Sequence, residues 1–335
     1  MNKNITFQPI KFWAKIPHGI WLREATSVAV DSKDNVYIYN RGNIPLLIFN
    51  SSGDLISNWG NEDPLGNIKI LEGSNLQIWE ESKFIRPHSV RIDGEDNIWC
   101  VDDFGHKIYK FNQSFELLLT LGDGNPSERE SGIPFNRPTD VAIRKSSGEI
   151  FVSDGYGNSR IHHFDYEGKF IKSWGISGTN PGEFSLPHNV NMISDTEMLV
   201  CDRENHRVQI FSVNGEFIRE WHVHKAVAST IDDEGNIYIA EQGPPPVQYG
   251  VKNIGHSVGV WTKDGRLIEK LGAELPGENH DQFLWPHSIA IDSKGKIYVA
   301  EVSYTEVGRN FTPPRETASL RVWAVSYTHL RAHET

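Results

Sequence analysis

One pattern is written six times along this chain, and it constrains the fold more than any other feature. The unit is a short strand ending near Asp, a tight turn, an alternating apolar strand ending in an acid, a third strand with Phe or Trp, another turn, and a strand often closing on Trp-Gly or Leu-Gly. Residues 26–60, 88–122, 139–175 and 188–221 are full copies; 227–272 and 287–324 are copies carrying insertions. Each copy holds four runs of period-2 alternation, as in Val36-Tyr37-Ile38-Tyr39, the signature of strands with distinct faces. The turns are Asp-Gly, Asn-Gly, Glu-Gly or Ser-Gly, which tolerate the positive φ of tight hairpins. Four antiparallel strands repeated six times predict an all-β six-bladed β-propeller. A sandwich would not need six copies of one four-strand unit. The sixth copy lacks its last strand, and residues 7–16, FQPIKFWAKI, have strand character ahead of the first copy. The N-terminus is therefore expected to pair with the strand around Leu320–Trp323, closing the ring and hiding an open edge. Residues 1–324 read as a single domain.

Composition narrows the partners. With 38% hydrophobic and 23% charged residues the chain is too apolar for disorder. A net charge of −11 argues against a broad nucleic-acid or membrane-surface footprint, since both need clustered Lys and Arg. It leaves room for a local basic pocket for a small anion. Cys100 and Cys201 sit inside apolar strand-like runs and are expected as buried free thiols. No run approaches the ~20 apolar residues of a membrane helix, and MNKNITFQPIKFW has no apolar core of a secretion signal. These readings predict a soluble, cytoplasmic protein. The end of the chain, VSYTHLRAHET from Val325 to Thr335, looks like translated sequencing adapter, so His329 and His333 are set aside as ligands.

Chemistry is sought where the repeats differ. Aligned on the first residue of the innermost strand, the copies read Thr26, His88, Thr139, His188, Val227, His287. The histidines are 100 and 99 residues apart, two repeats each time, and each follows Pro. Alternate blades are related by about a third of a turn, so the three imidazoles should converge on the channel axis. Three His around an open fourth position is the ligand set of a catalytic zinc. A Pro-His strand start chosen for packing alone would not recur in strict alternation. His106 and His206, four residues beyond the strand-end acids Asp102 and Asp202, read as a turn device; His162, His163, His222, His224, His256 and His280 share no register and read as packing or surface residues. The acids ending the second strands can hold backbone amides, but the residues after them are not repetitive, as expected of a site grafted onto a repeat. Among these, Arg41, Tyr156 and Arg203 fall on the histidine rim. Rim salt bridges would explain the arginines equally well.

The motifs Asn40-Arg41-Gly42, Arg86-Pro87-His88, Ser153-Asp154-Gly155-Tyr156-Gly157-Asn158-Ser159-Arg160, Leu186-Pro187-His188, Asp202-Arg203-Glu204-Asn205 and Trp285-Pro286-His287 make the chain specific. The repeats resemble NHL repeats, and residues 7–324 resemble the peptidyl-α-hydroxyglycine α-amidating lyase family. That resemblance implies zinc on His88, His188 and His287, with Tyr156, Arg41 and Arg203 completing the active site. It also implies a structural calcium held partly by the backbone oxygens of Val28 and Val90. The family's aspartate ligand, however, is Ser288 here, a site methionine is Trp285, and the animal enzymes' disulfides are absent. The implied reaction cleaves an N-acyl-α-hydroxyglycine to an amide and glyoxylate. Zinc would acidify the substrate hydroxyl, and Tyr156 is the candidate base, its phenolate favoured by the metal and a guanidinium, assigned to Arg41. Arg203 would clamp the substrate carboxylate; the two arginine roles are interchangeable at this level. The expected partner is a small N-acyl-hydroxyglycine-like anion rather than a hormone precursor. A metal-dependent hydrolase or lactonase, or a non-catalytic recognition propeller, are the competing readings.

Overall fold

The computed structural model describes residues 3–71, 77–244, 248 and 250–329. Six four-stranded antiparallel sheets are arranged as the blades of a propeller, and in blades one to five the strands follow chain order from the axis outward. The innermost strands are Ala25–Val30, Pro87–Ile92, Pro138–Ile143, Pro187–Met192, Ala226–Ile231 and Pro286–Ile291. Second strands such as Val36–Asn40 or Ile98–Asp102 are buried along their length, whereas outer strands such as Leu55–Trp59 alternate. That difference follows from position: an inner strand is covered by a neighbouring blade on both faces, an outer one on part of one face. Six apolar clusters fill the six inter-blade interfaces, including one between blades six and one in which Ile38, Leu47 and Phe49 meet Tyr298, Ala300 and Val322. Cys100 and Cys201 lie buried and unpaired within two of these clusters.

Blade six takes three strands from the C-terminal segment and its outermost strand, Lys3–Pro9, from the N-terminus. The closure agrees with the sequence reading, but its register is displaced. Pro9 lies opposite Trp323, Phe7 opposite Val325 and Lys3 opposite His329, so the pairing runs through Val325–His329 instead of back to Leu320. Beyond Pro9 only the Ile10 amide still reaches the Val322 carbonyl, at 2.7 Å. The cause is Trp13, which leaves the edge to bury itself against Phe49 and Tyr298 at the seam of blades one and six, ring centroids 5.8 and 5.0 Å away.

Two segments stand outside the blade pattern. A short hairpin, Ile68–Ile70 with Gln77–Trp79, follows blade one, and a one-turn helix, Ser303–Glu306, lies in the blade-six insertion. Among the described residues no helix is long and apolar enough to cross a membrane.

Candidate metal centre

The three histidines do converge. His88, His188 and His287 are all buried, their ring centroids lie 5.0, 4.8 and 4.7 Å apart, and their candidate ligand atoms lie within 4.8 Å of one another. Among the described residues this is the one such cluster of His, Cys, Asp or Glu. Each ring is oriented by the next blade: His88 Nδ1 meets the Thr139 carbonyl at 2.5 Å, His188 Nδ1 that of Val227 at 2.8 Å, and His287 Nδ1 that of Thr26 at 2.6 Å. A carbonyl only accepts, so each Nδ1 carries the proton and each Nε2 keeps its lone pair. This is the outer hydrogen bond that fixes the tautomer of a ligating histidine. Burial and mutual repulsion hold the histidines in the neutral, ligating form: His88 and His188 well below the usual imidazole range, and His287 at about 3, through burial and the Arg41 charge. The donor set therefore fits a zinc ion with one open position.

A repeated backbone device brings the other residues to this rim. The strand-end acid accepts the amides that precede the innermost strand: Asp102 from Ile85 and Arg86, Asp154 from Asn136, Asp202 from Ser185, Glu301 from Trp285. Shortly after the strand-end residue, which is Asn40 in blade one and an acid in the others, an amide donates to the carbonyl two residues ahead of the histidine column. Arg41 binds Glu24 this way at 3.1 Å, Tyr156 binds Arg137 at 3.3 Å and Arg203 binds Leu186 at 3.2 Å. Tyr156 needs its flanking glycines for close approach. A Cβ on Gly155 would stand 2.2 Å from the Pro187 carbonyl oxygen, and one on Gly157 would stand 2.0 Å from Asn136 Oδ1. With the backbone pressed in, the Tyr156 hydroxyl reaches His88 Nε2 at 3.0 Å and His188 Nε2 at 3.1 Å. Both nitrogens have lone pairs, so the phenol O–H can donate to either.

A cleft of about 170 Å³ opens beside His287, lined by Arg41, Arg86, Tyr156, Arg203 and Lys225 among others. Arg41 is in the cleft, but its guanidinium is engaged: Nη1 pairs with buried Glu24 Oε1 at 2.7 Å and Nε donates to the Pro87 carbonyl at 3.2 Å. The guanidinium stacked on the Tyr156 ring is that of Arg137, 4.6 Å from its centroid, with Arg203 at 5.9 Å. Arg137 and Arg86 share the Asp103 carboxylate, at 2.7 and 2.9 Å. Sequence reasoning passed over Arg86 and Arg137. Their signal lies in the column two residues before the histidine column, Glu24, Arg86, Arg137, Leu186, Lys225, Trp285, where arginine stands in blades two and three. The bland readings stand elsewhere: His106 and His206 adopt left-handed turns and accept the amides of Arg137 and Lys225, while His162 and His163 meet Asp154 and Glu149.

The layer beneath the histidines does not suit calcium. Ser288 Oγ accepts the Val28 amide at 3.2 Å and lies 3.0 Å from Ser27 Oγ, whose hydroxyl points at the Val90 carbonyl at 3.4 Å. The nearby carboxylate, Asp140, is taken by Arg91, Ser89 and Asn189. A hard dication needs six to eight oxygens, and this layer is instead closed by hydrogen bonds and one internal ion pair.

Comparison with known proteins adds a family context. The NHL repeat family model matches residues 135–164. The chain is 30% identical over 320 residues to the peptidylglycine alpha-amidating monooxygenase of Rattus norvegicus, covering 88% of this chain and 31% of that protein. It is 30% identical over 316 residues to peptidyl-alpha-hydroxyglycine alpha-amidating lyase 1 of Drosophila melanogaster, covering 85% of this chain and 56% of that one. The chain thus spans from just under a third to just over half of the length of these relatives. In fold it resembles a catalytically inactive virginiamycin B lyase from Staphylococcus aureus, with a TM-score of 0.54 at 15% identity, over 89% of this chain and 82% of that one. The chain is a six-bladed NHL-repeat propeller related to the peptidyl-alpha-hydroxyglycine alpha-amidating lyases.

Proposed function

We propose that this protein is a zinc-dependent lyase that cleaves an N-acyl-α-hydroxyglycine into an amide and glyoxylate. The observation that carries the reading is the hydroxyl of Tyr156 set between two of three converging imidazoles, in a cleft rimmed by arginines. His88, His188 and His287 would hold the metal through Nε2. Zinc bound there supplies a Lewis acid that polarises and acidifies a substrate hydroxyl.

The bond changes are simple. The carbinol O–H loses its proton, the oxygen's electron pair becomes the aldehyde C=O, the C–N bond breaks, and the amide nitrogen takes up a proton. The phenol oxygen of Tyr156, as phenolate, would accept the hydroxyl proton and hand one to the departing nitrogen. Arg137 stacks on the face of its ring and Arg203 stands farther over it, so positive charge beside the ring would favour negative charge developing on the phenol. Arg203 is the better clamp for the substrate carboxylate, since its Nε contact is with half-exposed Glu204 while Arg41 is tied to buried Glu24. Arg41 then adds fixed positive charge and holds the rim. The similarity to named amidating lyases supports the same reading.

The test uses purified protein. Stoichiometric zinc by plasma mass spectrometry and stoichiometric glyoxylate from N-acetyl-α-hydroxyglycine are expected. Zinc without glyoxylate from any N-acyl-α-hydroxyglycine sinks the lyase; neither sinks the whole reading.

A further inference from the structure

A second cavity shares a wall with the cleft. It encloses about 540 Å³, and Arg41, Arg86 and Thr305 line both spaces. The sizes divide the substrate. The cleft, at about 170 Å³, lies below the roughly 300–1,000 Å³ of small-molecule sites and suits only a head group such as hydroxyglycine. The neighbouring cavity lies inside that range and is larger than an acetyl group needs.

Its lining has two features. The first is a set of aromatic rings that stand outside the inter-blade cores. Phe104, Trp79 and Tyr304 line the cavity half-buried, and none belongs to an inter-blade core. Phe104 is held under Arg137 and Arg86, 4.3 and 5.5 Å from its centroid, and Tyr304 under Arg23 at 4.8 Å. The second is charge. Arg23, Arg41, Arg86, Arg137 and Arg309 line the cavity against one acid, Glu24. Glu24 answers Arg41, and Asp103 is shared by Arg86 and Arg137. Arg309 is exposed and has no ionic partner among the described residues. A cavity this cationic in a chain of net charge −11 is built against the protein's own field.

Resting on the lyase reading, we propose that this cavity receives the N-acyl arm of the substrate, and that the arm is aromatic and carries a second carboxylate. The ring would lie against Phe104, Trp79 and Tyr304, and the acid would face Arg309 and Arg23. Both segments that build the outer wall, the Gln77–Trp79 strand and the Ser303–Glu306 helix, are additions to the blade pattern.

Binding is measured by calorimetry with N-acylglycines, which lack the hydroxyl and cannot be cleaved. The series is N-acetylglycine, N-benzoylglycine, N-(4-carboxybenzoyl)glycine and N-(4-trimethylammoniobenzoyl)glycine. Each step along the first three should tighten Kd about tenfold, with the cationic arm weaker than benzoyl. Trp79→Ala should shrink the acetyl-to-benzoyl step, and Arg309→Gln or Arg23→Gln the benzoyl-to-carboxybenzoyl step, with N-acetylglycine binding unchanged. Equal Kd values, a tighter cationic arm, or a carboxylate step intact in both arginine variants overturns the proposal. Glyoxylate release from N-acetyl-α-hydroxyglycine is read separately. Its absence counts against the lyase, while the order of Kd values still decides the cavity.

Discussion

Replacing Tyr156 by Phe separates proton transfer from positioning, and the structure supplies the scale. The change removes only the phenol oxygen, with its contacts to His88 Nε2 at 3.0 Å and His188 Nε2 at 3.1 Å. The ring remains sandwiched by Arg137, 4.6 Å from its centroid, so its placement should survive. If the hydroxyl merely steadies the histidines, its single O–H gives up one hydrogen bond, worth about 1 kcal/mol. At 1.36 kcal/mol per decade that is about fivefold in rate. If the oxygen moves the proton, the loss should be about 10²–10⁴. The assay is glyoxylate release under saturating substrate, with zinc content measured on the same preparation. We expect unchanged zinc and a fall beyond about a hundredfold. A fall of about tenfold or less assigns the tyrosine to positioning, and full activity removes it from the mechanism.

Three further outcomes are expected. Single Ala replacements of His88, His188 and His287 should each lower bound zinc sharply; metal analysis showing full zinc in all three would end the metal assignment. Phe7→Ala, which strips a half-buried ring from the closing strand, should cost about 1–2 kcal/mol in urea denaturation, less than the 3–5 of a fully buried Phe; no change would mean that the terminal strand does not hold the ring. Burial pushes the Glu301 carboxyl from 4.5 up to about 7, so the folded state favours its proton, and stability should fall as pH rises from about 4.5 to 7. Glu301→Gln should flatten that fall by up to roughly 3 kcal/mol, and identical urea midpoints for both proteins at pH 5 and pH 8 would show that the carboxyl is not so perturbed.

The fold was legible because the repeat states its own period, and the histidine cluster was legible because three histidines break that period in alternation. Tyr156 was legible for a local reason: glycines at 155 and 157 are required by contacts near 2 Å. What escaped has a physical cause too. The closing strand's register depended on Trp13, whose burial at a distant seam no period-2 pattern reveals. Arg86 and Arg137 escaped because an arginine on a rim reads as a salt bridge, which both also make with Asp103. Only the third dimension puts one of them on the tyrosine's face. Likewise, the partner expected for Tyr156 was Arg41, and Glu24, 17 positions upstream and unremarked in the sequence, is what holds Arg41.

Because every imidazole is steered by a carbonyl of the following blade, the three rings act as gauges of three different seams. His88 reports on blades two and three, His188 on four and five, His287 on six and one. The last of these is the seam beside the joined chain ends, since His287 and the Lys3–Pro9 strand belong to one sheet. Loosening the ends would therefore tilt one imidazole while leaving two in place. The ring would lose its three-fold aim before it lost its strands, which makes the geometry at the axis the earliest witness of damage at the rim.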